Sequence, residues 1–229
     1  MQLFDRGTNT IFWTAVFVGI GIIISAVFLA YMMPRRDAAW NVGQSAPQPV
    51  PFSHDHHVGG LGIDCRYCHT SVTRAAFAGM PSAGTCMSCH SQVWTAAAVL
   101  EPIRRSIETG EPIGWRVLHD LPAFSYFHHG VHVASGVACE TCHGRIDLMP
   151  QTVKVETLSM AWCLDCHRDP EPHLRPPEAV FAMGWTGQGE ETASDRSPAP
   201  PREWPREWPR ELIEAHGVRQ LTDCSTCHR

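Results

Sequence analysis

No stretch of this chain concentrates positive charge. Eighteen Lys and Arg stand against 23 Asp and Glu, a formal charge of −5, and the missing basic stripe argues against a nucleic-acid partner. No cysteine is left over either. All ten fall in five Cys-x-x-Cys-His motifs, so nothing remains for a disulfide framework or a separate thiolate metal site. No small-x-small cleavage pattern precedes Pro34, which argues against a removed leader. What is plentiful is Gly and Pro, 18 of each, a composition that suits long irregular segments more than layered sheets.

The motifs read Cys65-Arg-Tyr-Cys68-His69, Cys86-Met-Ser-Cys89-His90, Cys139-Glu-Thr-Cys142-His143, Cys163-Leu-Asp-Cys166-His167 and Cys224-Ser-Thr-Cys227-His228. Zinc ribbons pair Cys-x-x-Cys units two at a time, and five leave one over. A redox dithiol does not come in fives. With 14 His in 229 residues, five such neighbours by accident is of order one in a million, so the pattern is that of covalent haem c attachment. Two thiols form thioethers to the porphyrin, and the adjacent His is placed under the iron as proximal ligand. The expectation is five covalently bound haem c, whose ten propionates add to the negative charge, with a basic docking face on a redox partner.

Ile11 to Met33 is a run of 23 residues without a charge, long enough to span a bilayer as a helix. Trp13 and Tyr31 fall near its ends, where interfacial aromatics sit, and Gly19 and Gly21 are small enough for a neighbouring helix to approach. Arg35 and Arg36 follow the run while only Arg6 precedes it. Alone, the charge rule leans towards a cytoplasmic C-terminal side, but long domains cross largely regardless of a few charges. Because haem c is attached outside the bacterial energy-transducing membrane, the expectation is an inner-membrane, single-pass protein with its haem domain on the periplasmic side. The division expected is a short cytoplasmic tail (1–10), a transmembrane helix (11–33), a linker (34–51), two two-haem modules (52–126 and 127–180), a Pro-rich extended segment (181–210) and a fifth-haem segment (211–229). Low complexity over 186–210 predicts a chain held extended by a partner. Helical rhythm in Val93, Trp94, Ala97, Leu100 and Arg104 predicts a helix over 92–109, residues 111–120 read as a loop, and 211–218 read as a short helix. Trp94 and Trp115 suit packing against haem edges.

The two modules open alike. Phe52-Ser-His54-Asp-His56-His57 precedes Cys65, and Phe127-His128-His129-Gly-Val-His132 precedes Cys139. Both obey Phe-x-His-x-x-His, and each copy is followed by a second motif, which marks a duplication. His residues at i and i+3 share a helix face and so can reach two irons packed side by side. His54 and His129 are the candidate distal ligands of their own modules' first haems; His57 and His132 serve other haems. His56 and His128 fall outside the pattern. The fifth haem has several candidates. His216 sits eight residues before Cys224; Met149, Met160 and Met80 offer a thioether, which raises the potential relative to a second His; His119 and His173 also stay open. The fold class expected is mostly α and irregular, a multihaem cytochrome c with little regular secondary structure, duplicated two-haem modules and one N-terminal transmembrane helix.

The duplicated units resemble class III multihaem cytochromes. With Pro51-Phe-Ser-His54, Gly62-Ile-Asp-Cys65, Thr85-Cys86-Met-Ser-Cys89-His90-Ser-Gln, Thr141-Cys142-His143-Gly-Arg-Ile-Asp, Met160-Ala-Trp-Cys163 and Leu221-Thr-Asp-Cys224, the chain is similar to the pentahaem subunits of alternative complex III, a bacterial quinol:electron-acceptor oxidoreductase. The resemblance covers roughly residues 8–180 and the last motif; the Arg-Glu-Trp-Pro repeats are outside it. It implies membrane-integral quinol-binding subunits, an iron–sulfur subunit and a monohaem cytochrome as partners, with a periplasmic electron acceptor. The role implied is conduction of electrons from quinol oxidation, with no catalytic residue of its own. The alternative is a self-contained small membrane-anchored multihaem quinol dehydrogenase feeding a soluble reductase. A catalytic multihaem reductase fits less well, because every motif keeps its His.

Overall fold

The computed structural model describes residues 5, 7–185, 211, 213–215 and 217–228. Among them there is no β-strand, only isolated bridges pairing Ser125 with His228 and Val137 with Leu174. The chain divides into two compact units, Met1–Val42 and Gly43–Arg229.

The first unit is built on helix α1, Gly7–Met32. Its 26 residues bury no side chain. At about 1.5 Å per residue it reaches roughly 39 Å, more than the hydrocarbon layer needs. The helix starts before the apolar run expected at 11–33, because Gly7-Thr-Asn-Thr10 tolerates helical backbone and Thr8 N–H bonds Asp5 C=O at 3.0 Å. It ends where Pro34 enters a 3₁₀ turn, Met33–Arg35. There the Arg35 guanidinium lies 3.6 Å over the Tyr31 ring and donates to the Tyr31 carbonyl at 2.5 Å. A cation thus satisfies a terminal carbonyl at the negative end of the helix. By length and composition α1 can cross a membrane.

The second unit is a chain of short helices joined by irregular backbone. Each Cys-x-x-Cys-His motif sits on one: α2 (Cys65–Cys68), α3 (Ala83–His90), α6 (Cys139–His143), α7 (Met160–Arg168) and α8 (Cys224–Cys227). One helical turn is what the motif requires, since it puts cysteines at i and i+3 on the same face. Oxygen side chains start three of them. Asp64 accepts from Arg66 N–H at 2.8 Å, Ser82 from Thr85 N–H at 3.4 Å, and Ser159 from Trp162 N–H at 3.3 Å. The aliphatic core is small: Val50, Ala83, Leu100 and Ile103, with Met87, Ile113 and Trp115 against them.

The helix expected over 92–109 is shorter. A 3₁₀ turn, Ala98–Leu100, leads into α4, Glu101–Thr109. Pro102 disfavours helical backbone in the residue before it and has no N–H, so a helix begins there rather than passing through. Residues 92–97 are irregular, with Trp94 at φ 57, and Arg104 gathers the Thr95 and Ala97 carbonyls at 3.0 and 3.1 Å. Trp94 is exposed. Part of the expected linker 34–51 also belongs to the second unit. Gln48 and Arg116 exchange two hydrogen bonds of 2.9 Å, and Val50 is buried.

The two Phe-x-His-x-x-His segments differ in backbone. The first forms a π-helical turn, Asp55–Gly60, and the second an α-helix, α5, His129–Ala134. In α5 the absence of a side chain at Gly130 is required: a Cβ there would meet the Arg74 backbone at 2.9 Å. His129 and Gly130 N–H groups accordingly bond the Ala76 and Ala75 carbonyls at 3.2 and 3.1 Å, clamping the second segment to the loop after the first motif. The Pro-rich stretch 186–210 lies outside the described residues, as do Leu212 and His216 of the helix expected over 211–218; residues 211 and 213–215 are helical.

Candidate haem-binding site

The imidazoles of the two repeats face the motif histidines in pairs. Ring centres are 6.2 Å apart for His57 and His90, 6.4 Å for His129 and His143, and 6.1 Å for His132 and His167. A metal–nitrogen bond of about 2 Å, plus about 1 Å from that nitrogen to the ring centre, puts two imidazoles on opposite sides of one iron roughly 6 Å apart. All three pairs meet that spacing. His54 lies within electrostatic reach of His69.

The second ring nitrogen is also accounted for in eight of the nine candidate histidines, His143 being the one for which no hydrogen bond is found among the described residues. Nδ1–H donates to a main-chain carbonyl in His57 (Ser53, 2.8 Å), His69 (Gly79, 2.7 Å) and His90 (Val93, 3.1 Å). The same holds for His129 (Ala76, 2.7 Å), His132 (His128, 2.9 Å), His167 (Leu221, 3.0 Å) and His228 (Phe124, 3.3 Å). His54 Nδ1 pairs with the Thr152 hydroxyl at 3.0 Å. A carbonyl only accepts, so the proton is on Nδ1 and Nε2 keeps its lone pair, the tautomer a metal ligand needs. His128 is reversed: its Nδ1 accepts from Val131 N–H at 3.3 Å and caps α5. That leaves Nε2 protonated and unsuited to coordination. His56 is exposed, and Ser53 Oγ accepts from its main-chain N–H at 3.1 Å.

Burial favours the neutral form of four of these rings. It lowers His54 to about 4, with His69 and His57 adding, and His143 to about 3, with His119, His129, His69 and His54 adding. His129 and His132 are lowered mainly by burial as well. Removal from water disfavours the imidazolium.

The five motifs touch in a different order from their order in the chain. Tyr67 OH and Ser88 Oγ, 2.6 Å apart, join the first motif to the second. The first meets the third where the His129 and Gly130 N–H groups of α5 bond the Ala76 and Ala75 carbonyls after the first motif, and the Cys65 and Cys139 thiols are near enough to hold Cys65 below and Cys139 above the ordinary thiol range. Helix α5 spans the third and fourth by facing His143 and His167 at once. Burial pushes Cys142 up to about 12, and Cys166 and Cys163 nearby push the same way. The fourth meets the fifth through His167 and the Leu221 carbonyl, and through Gln220 Nε2 donating to the Arg168 carbonyl at 2.6 Å. The contact order is second, first, third, fourth, fifth.

For His228 the ring neighbour is Phe124, at 5.9 Å, and no imidazole among the described residues stands opposite it at pair spacing. Met160 is 65 % exposed at the start of α7, Met80 is exposed, and Met149 is half-buried with its carbonyl taken by Asp55 N–H at 3.1 Å. His173 is lowered by burial against a counter-effect of Asp169. His216 lies outside the described residues. His119, one of the open candidates for the fifth haem, sits instead beside His143, ring centres 4.3 Å apart.

Two buried ion pairs fix the surroundings. Arg175 pairs with Glu140 of α6, and Arg145 with Asp147 at 2.7 Å. Lys154, the one lysine of the chain, is 7 % exposed. Its main chain is tied to Gln44 and Gly43 by bonds of 3.1 and 2.7 Å. Sequence reading missed Thr152, which is 98 residues from its partner His54 and carries no local signal.

Residues 125–229 match the family model of cytochrome c7 and related cytochrome c. The chain is also similar to the multiheme cytochrome c subunit of a menaquinone reductase from Nitratidesulfovibrio vulgaris strain Hildenborough, 29 % identical over 125 residues. The match covers 54 % of this chain and 56 % of that relative, so the chain spans a little over half of the relative's length. With the geometry above, the chain is mostly helical and irregular and carries a multihaem, cytochrome c7-like domain.

Proposed function

We propose that this chain is a membrane-anchored pentahaem cytochrome c that conducts electrons from quinol oxidation in a larger membrane complex to a periplasmic acceptor. Three imidazole pairs at one-iron spacing, on motifs that touch end to end, carry the reading. When bound, haem c supplies a one-electron ferric–ferrous couple. The chain's own task is geometric: its thiols fix each porphyrin edge, its Nε2 atoms hold the metals, and its Nδ1 bonds fix ring orientation. The proximal histidines are His69, His90, His143, His167 and His228, and His54, His57, His129 and His132 are the distal ones. Electrons pass along the contact order, with the second and fifth motifs as terminals. One helix encloses no quinol pocket, so quinol is oxidised by membrane-integral partners, accompanied by an iron–sulfur subunit and a monohaem cytochrome as in alternative complex III. Helix α1 anchors the chain in the inner membrane with the haem domain outside.

A second reading reverses the current. The similar protein is named a menaquinone reductase subunit, which favours a chain delivering electrons to a quinone pool. Purification in mild detergent, followed by mixing with quinol and with quinone, separates the two. Reduction of the bound haem by quinol through co-purifying polytopic subunits supports the first reading. Haem oxidation by quinone without reduction by quinol supports the second, and redox inertness of the intact complex towards both contradicts them together.

A further inference from the structure

Three charged residues are buried among the described residues: Asp147, Lys154 and Arg175. Asp147 pairs with Arg145 at 2.7 Å, and Arg175 pairs with Glu140. Lys154 is only 7 % exposed, yet among the described residues its ammonium enters no ion pair and no hydrogen bond. A cation withdrawn from water without a counter-ion is a costly state. The main chain fixes where the side chain starts, because the Lys154 N–H bonds the Gln44 carbonyl and its own carbonyl accepts from Gly43 N–H. The surroundings belong to the third motif. The Val155 side chain packs on Gly144, the residue after His143, where a Cβ would meet it at 3.0 Å. Glu156 lies within electrostatic reach of Cys142, and Lys154 within reach of His119, whose ring centre is 4.3 Å from that of His143. His119 Nε2 is a second buried polar atom with no hydrogen-bond partner. Two unpartnered polar groups beside one attachment motif fit a ligand that brings charge into the protein.

We propose that Lys154 is the counter-ion of a propionate on the haem of the third motif. A porphyrin carboxylate is the anion that attachment at Cys139 and Cys142 brings to this place, and a buried ammonium without a partner is what it pairs with. The positive charge favours the reduced haem, which carries one positive charge fewer, and so raises its potential. Lys154 is the one lysine of the chain, so no other haem is tuned by a lysine. The inference rests on the haem reading above. Failure of that reading shows as absent haem in the unaltered protein, whereas failure of this one leaves the unaltered protein fully loaded.

The test is redox titration and electron paramagnetic resonance of the detergent-solubilised full chain carrying Lys154→Met or Lys154→Arg. With Lys154→Met, the expected result is unchanged spin states and one haem with a lowered potential. A tenfold rise in its ferric-to-ferrous ratio corresponds to about 59 mV. Lys154→Arg, which keeps the charge, returns most of that shift, a recovery that a packing role alone would not give. The haem that moves is the one whose signal His129→Ala also changes, since His129 faces His143. An unmoved set of potentials overturns the proposal, and so does a shift confined to another haem or one that arginine does not reverse. If Lys154→Met does not mature, a density map of the unaltered holoprotein decides. Lys154 Nζ within hydrogen-bonding distance of a propionate oxygen of the third motif's haem supports the proposal. Nζ on a protein carboxylate such as Glu156, or on water alone, overturns it.

Discussion

His57 and His90 stand with ring centres 6.2 Å apart, although one belongs to the repeat before the first motif and the other to the second motif. His132 and His167 repeat the relation at 6.1 Å. A histidine placed three residues after its partner thus reaches past its own motif to the next one, and this ties the two halves of each module together.

Replacing His57 by Ala should convert one haem, that of the second motif, from low-spin to high-spin and raise its potential, while the other signals persist. Electron paramagnetic resonance of the oxidised protein checks this. If the signal that changes belongs to the first motif, identified by the matching His54→Ala variant, the pairing is wrong.

The contact order predicts that the third motif is a bottleneck. His129→Ala should slow electron passage between the two ends by an order of magnitude or more, because removing a ligand from the middle of a linear chain leaves no bypass. Rapid-mixing reduction, followed at the wavelengths of the terminal haems, reads the rate. An unchanged rate would mean that the ends communicate by another route.

Gly130→Ala should destabilise the folded chain by about 1–3 kcal/mol, the usual cost of forcing atoms into a filled site. The added Cβ meets the Arg74 backbone at 2.9 Å, and backbone cannot swing aside as a side chain can. Thermal unfolding of the loaded protein measures the loss. A matching Gly114→Ala variant, where nothing lies within 4 Å, should be nearly neutral.

Asp64 both caps α2 and pairs with Arg66 at 2.7 Å. The Arg66 hydrogen bond holds its carboxyl below the usual range. A carboxyl depressed in the folded state adds stability that is present above the unfolded carboxylate pKa and fades as pH falls through the folded value. Asp64→Asn should therefore lose little, a few tenths to about 1 kcal/mol as is usual for exposed pairs and caps, and should flatten the acid limb of the stability curve. A variant with an unchanged acid limb would show that the pair contributes nothing.

The motifs, the apolar helix and the i, i+3 histidines were legible in the sequence because each is a local pattern. His57, His129 and His132 stand at one-iron spacing from motif histidines for that reason. Pro102 was visible too, yet the helical rhythm of Val93 and Trp94 outweighed it in the reading; in the structure the proline restarts the helix. Thr152 at His54 and His119 at His143 were hidden, since a hydroxyl or imidazole far along the chain advertises no partner. The order in which the motifs touch also depends on tertiary contacts, such as Cys65 with Cys139, that spacing does not encode. Among the described residues no imidazole stands opposite His228 at pair spacing, and the sequence left the same gap.

The most direct test of the account is the mass of the denatured full chain after maturation in a host that attaches haem c. The account predicts the polypeptide mass plus five covalently bound haems, with none removed by acid acetone. A polypeptide without added porphyrin, or with fewer than five, would contradict it.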